Sequence, residues 1–175
     1  MVVAGTRDRP QVLARSEIAL ADPGAEGSGQ PFHAAFGTLE KNERRLASRI
    51  TEIRRIAELS VASVLRDWAA SGWTIQRAAL VVGSLNPPEA IANEHIRAHA
   101  LEGQLFRTVL QDALSANGVQ SDVMTERTLY GEASEVLEQN VSDLKSAVSL
   151  LGHSIGRPWQ ADHKLAATAA WMRLS

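Results

Sequence analysis

Ile75-Gln76-Arg77-Ala78-Ala79-Leu80-Val81-Val82-Gly83-Ser84-Leu85-Asn86, followed by Pro87-Pro88, is the stretch from which the fold is read. Its centre, Ala78 to Val82, is an unbroken apolar run with no polar residue at alternate positions, the pattern of a strand covered on both faces. Gly83 and the two prolines then stop sheet pairing, and a proline can open a helix at its first turn. This predicts a central strand that feeds a helix. In open α/β sheets ligands gather beyond the carboxyl ends of such strands, which directs the search for a site to Ser84 through Glu102.

Working outward from that strand, Pro88 to Ala116 reads as a long helix closed by Asn117-Gly118, and Val119 to Thr125 as a second, parallel strand near a sheet edge. Leu129-Tyr130 reads as the start of a linker. Asn140 to Leu151 has the spacing of a helix with Val141, Leu144, Val148 and Leu151 inward. A last, alanine-rich helix begins near Gln160 to Asp162 and carries Leu165, Ala166, Ala169 and Met172 on one side. In the other direction, Thr38 is the expected N-cap of the longest helix, which runs to Ser71-Gly72. Leu46, Ile50, Ile53, Ala57, Val61, Val64 and Trp68 form its apolar stripe. The opposite face carries Lys41, Arg44, Arg45, Arg49, Arg54 and Arg55. Carboxylates interleaved with them favour a solvated face over a phosphate-binding ridge.

Nearer the N-terminus, Met1 to Gln11 is polar and is expected as a flexible arm. Val12 to Ala21 reads as a first strand ending in the turn Asp22-Pro23-Gly24, Ala25 to Pro31 as a loop, and Phe32 to Thr38 as a short strand or an apolar plug over the core. The expected architecture is α/β: a single layered domain over residues 12–175, with a mixed sheet and helices packed on it.

Composition narrows the function classes. The 175 residues hold 18 Lys and Arg against 20 Asp and Glu, a net charge of -2, so long-range attraction to nucleic acid or an anionic membrane is not expected. With no cysteine there is neither a disulfide nor a thiolate metal site. No apolar run approaches the roughly 20 residues of a membrane span, and the first residues lack the apolar core of a signal peptide, so the expected setting is cytoplasmic, away from membranes.

Tracing the apolar stripe of the Pro88 to Ala116 helix backwards from Leu114 through Leu110 and Phe106 leads to Glu102, His99 and His95. The face turns polar toward the helix start, so these three side chains are expected to project toward a cleft. His95 and His99 stand four apart, a spacing that can chelate a divalent metal, with Glu102 one turn further on. The plain alternative is a pair of unrelated imidazoles.

Leu101 to Trp171 resembles the second half of the RuvC-type Holliday-junction resolvases, members of the ribonuclease H-like superfamily. The matching pieces are the helix around ALEGQLFRTVLQDAL, the strand GVQSDVMT, the helix NVSDLKSAVSLLG, and a proline-containing loop before the alanine-rich helix in PWQADHKLAATAAW. IALADPG at Ile18 to Gly24 is similar to that family's first strand. The resemblance implies a ribonuclease H-like fold and a nuclease that hydrolyses phosphodiesters with Mg²⁺ or Mn²⁺. Asp22 and Asp162 would be its metal ligands and nucleic acid its partner, and Glu94 or Glu102 on the following helix could substitute as the further catalytic carboxylate. Val82-Gly83-Ser84 stands where the family carries a glutamate, so the carboxylate set is incomplete. Two other readings follow: a non-catalytic domain that forms a homo-oligomer through helix 38–71, and a small-molecule or zinc site built on His95 and His99.

Overall fold

The computed structural model of the chain describes residues 1–25, 27–34 and 38–174. At its N-terminus is an antiparallel hairpin of β1 (Val2–Thr6) and β2 (Arg9–Ala14), joined through Arg7 and Asp8. The expected flexible arm is therefore corrected: residues 1–11 supply β1 and half of β2. Gly5 makes the hairpin possible, because it adopts φ +100° and a Cβ there would stand 2.3 Å from the Arg9 carbonyl oxygen. Pro10, which suggested a loop, sits opposite Gly5 in this two-stranded ribbon, where its missing N–H is tolerated. Val2 and Val12 are buried. The indole of Trp171 donates to the Arg7 carbonyl (2.8 Å) and Arg7 Nε donates to the Leu174 carbonyl (2.9 Å), which holds the hairpin to the C-terminal segment.

The second strand pair is β3 (Arg77–Val82) with β4 (Gln120–Thr125), and among the described residues each sheet has two strands. This corrects both the central strand and the single mixed sheet. An apolar run reports that both faces of a strand meet apolar neighbours, but not how many strands flank it. Here Ala79 and Val81 pack on a core shared with α3 (Glu126–Val136), α4 (Val141–Leu151) and α5 (Ala161–Trp171). Leu129, Ala133 and Leu137, spaced by four, place one face of α3 in that core, so Leu129-Tyr130 is helix rather than linker. Asn140 caps α4, accepting from the Asp143 backbone N–H at 2.9 Å, and Leu144 and Val148 are fully buried beneath it. Small residues at Ala167 and Ala169 let α5 lie close against β3.

Contacts cluster the chain into two compact units where one domain over 12–175 is expected. The elements just described belong to the first, made of Met1–Glu17, Arg77–Gly83 and Ser121–Ser175. The second, Ile18–Gln76 with Ser84–Gln120, is built on a helix pair, α1 (Glu43–Ala70) and α2 (Glu94–Ala116). Ile53 and Ala57 of α1 pack on Leu105 and Val109 of α2, flanked by Leu20 and Phe32. Ile18 to Ala21, expected as strand, forms none: Leu20 is spent covering the helices. Phe32 does serve as an apolar plug, and an isolated antiparallel bridge joins His33 to Leu39; the centre of the Phe32 to Thr38 stretch, Ala35 to Gly37, lies outside the described residues, as does Glu26 in the preceding loop.

Both helix starts fall later than expected, each at a downstream asparagine cap. Asn42 rather than Thr38 caps α1, accepting from Arg45 N at 3.0 Å, because Thr38 to Glu40 are drawn back onto Phe32 and Ala34 by backbone bonds. Asn93 caps α2 in the same way, accepting from Ile96 N at 3.1 Å, and Pro88 instead opens a short 3₁₀ turn, Pro88–Ala90.

Candidate metal centre

The cap at Asn93 sets the register of α2 so that His95, His99 and Glu102 occupy one face over its first turns. His33 meets them from the loop that covers the helix pair. The three imidazole rings lie 4.5 to 5.1 Å apart between centroids, and one nitrogen from each falls within 4.8 Å of the other two. All four residues belong to the helical unit.

Glu102 organises the group. Its residue is only 5% exposed, and a carboxylate so far from water needs hydrogen-bond donors. One oxygen lies 2.8 Å from His33 Nδ1 and the other 3.3 Å from His99 Nδ1. An ionised carboxylate can only accept, so in the His33 hydrogen bond Nδ1 carries the proton. His33 Nε2 then presents its lone pair in the neutral ring, and in this structure it accepts from His95 Nδ1. This is the arrangement by which a second carboxylate shell fixes tautomer and ring direction in metal-binding histidines. His33 Nε2 stands 3.2 Å from His95 Nδ1. Two imidazole nitrogens at ordinary bond lengths from a tetrahedral zinc ion are separated by about 3.3 Å, so this pair already has the spacing that one ion would impose.

The loop that carries His33 is anchored independently. Arg49, on α1, donates from Nη1 to the Pro31 carbonyl (3.0 Å) and the His33 carbonyl (3.5 Å), and to Glu40 at 3.4 Å. Gly27 passes over that guanidinium with φ +72°, where a Cβ would lie 2.4 Å from Arg49 Nη2. Glu40 also accepts from the Asn42 backbone N–H (2.9 Å) and from Arg45 (3.2 Å). The Asn42 hydrogen bond, helped by the Arg45 and Arg49 guanidinium groups and opposed by desolvation, holds its carboxyl below the usual glutamate range. Further along α1, Arg55 pairs with Glu52 at 2.5 Å, which lowers the glutamate and raises the arginine from their ordinary values. These pairs are what a solvated, charge-alternating helix face contains.

The other expected site residues stand elsewhere. Asp22 is exposed in the helical unit, where its Oδ1 accepts from Gly24 N at 2.8 Å in the Asp-Pro-Gly turn. Asp162 is exposed in the first turn of α5, in the other unit. Among the described residues no cluster of potential ligand atoms includes either aspartate. His33 escaped the reading of the sequence because it lies 62 and 69 residues before His95 and Glu102. The one local signal was a lone imidazole inside an otherwise apolar plug, Pro31-Phe32-His33-Ala34.

No protein-family model, curated protein or solved structure matches the chain. Among the described residues no helix is long and apolar enough to cross a membrane.

Proposed function

We propose that the helical unit is a transition-metal-binding module, with His33, His95 and His99 as ligands and Glu102 as the carboxylate that orients two of them. The observation that carries this reading is that one nitrogen from each of three imidazoles, brought together from a loop and a helix, lies within 4.8 Å of the other two beside a buried carboxylate. An all-imidazole donor set suits zinc, copper, nickel or iron, whereas Mg²⁺ is held through oxygen. Zn²⁺ is the ion favoured. Held by α2 and by the loop pinned to α1, it would tie that loop to the helix pair.

A ribonuclease H-like nuclease that holds Mg²⁺ or Mn²⁺ with Asp22, Asp162 and Glu102 ranks below this. Two-metal hydrolysis needs carboxylates clustered on one phosphate, and the oxygens of Glu102 face His33 and His99 instead. A homo-oligomer through α1 has the exposed Leu59 in its favour and nothing more specific.

The test is calorimetric titration of Zn²⁺ into the full chain, alongside His95→Ala, His99→Ala and the pair Asp22→Asn with Asp162→Asn. One equivalent should bind, each histidine variant should lose most of the affinity, and the aspartate variants should match the wild type. Absence of binding, or loss only in the aspartate variants, overturns the proposal.

A further inference from the structure

We infer that the ion in the His33, His95 and His99 site keeps one exchangeable coordination position open to solvent, and that this position takes a small anionic donor of the carboxylate or hydroxide class. The inference rests on the metal-binding reading above and deepens it.

It follows first from counting donors. The chain has five histidines and no cysteine, and the two remaining imidazoles, His153 and His163, belong to the α/β unit. His163 is spoken for there: its Nδ1 accepts from Gln160 N at 3.0 Å, and its ring stacks on Trp159. Among the described residues no carboxylate joins the three nitrogens as a fourth member. Structural zinc sites are closed by four protein ligands, whereas three protein ligands leave a place for water or substrate.

The direction of that place follows from burial. The Glu102 side chain is 7% exposed and the His99 side chain 49%. Glu102 therefore supports the rings from the protein side, and the remaining position faces water. Both of its oxygens are engaged by Nδ1 atoms, so it could become a ligand only by releasing one of the rings it orients. An ion with three neutral ligands retains its full double positive charge, which lowers the pKa of bound water and favours an anion in its place.

The experiment uses the full chain loaded with Co²⁺, whose visible bands report its coordination sphere, titrated with azide and with acetate. Wild-type protein should show cobalt bands that shift saturably with each anion. Bands that appear but do not respond would overturn the open position while leaving metal binding intact. A response confined to Glu102→Ala would also overturn it, by showing that Glu102 closes the site in the wild type. Failure to develop cobalt bands at all would overturn the metal reading itself, and this inference with it.

Discussion

Replacing Glu102 by glutamine is the most informative perturbation, because it keeps the shape of the side chain and changes only what its two terminal atoms can do. The carboxylate accepts from His33 at 2.8 Å, and its other oxygen lies 3.3 Å from His99 Nδ1. An amide offers one acceptor and one donor. One imidazole keeps its partner, while the other meets an N–H and must turn its own proton onto Nε2, the atom proposed to meet the ion. Losing a hydrogen bond of this charge-assisted kind costs about 1.5–3 kcal/mol. Outer-shell changes at metal sites lower affinity by about 10–100-fold, or about 1.4–2.8 kcal/mol, so the two routes agree. Zn²⁺ affinity measured by competition with a chromophoric chelator should fall by that factor in Glu102→Gln. Circular dichroism of the metal-free variant should match the wild type, because the buried negative charge is removed together with its interactions. An unchanged affinity would refute the orienting role of Glu102 and the tautomer assignment built on it.

Glu40 gives a prediction in pH. Its carboxyl is held below the usual range in the folded chain, so its contribution to stability is complete above the unfolded-state value and disappears as pH falls through the lowered native one. Urea midpoints of wild type and Glu40→Gln should therefore differ at neutral pH and converge in acid, and a gap that persists unchanged in acid would contradict the assignment. In the α/β unit, Leu144→Ala empties a position that is fully buried between α4 and its neighbours, and should cost about 2–5 kcal/mol in urea unfolding. A loss of only a few tenths would mean that this core is not packed as described.

Local chemistry made much of the chain legible. The apolar run at Ala78 to Val82 gave β3 its place; the four-residue spacing of Ile53, Ala57 and Val61 gave α1 its buried face; and the break at Gly72 gave that helix its end. Asn140 and the alanines of the last helix did the same for α4 and α5. Errors fell where a local signal competed with a distant one. Arg7, Asp8 and Pro10 look like an arm until β1 is paired with β2 and Trp171 is bonded to the turn between them. Thr38 looks like a cap until the segment before α1 folds back on Phe32.

The candidate site divides in the same way. His95, His99 and Glu102 share a face because an α-helix repeats every 3.6 residues, and the sequence alone determined that. That Glu102 is buried, and that His33 completes the group from a loop held by Arg49, was decided only by tertiary structure. Helical periodicity operates within a few turns, whereas the approach of His33 depends on the packing of Phe32 against α1 and α2, a contact between residues far apart in the chain.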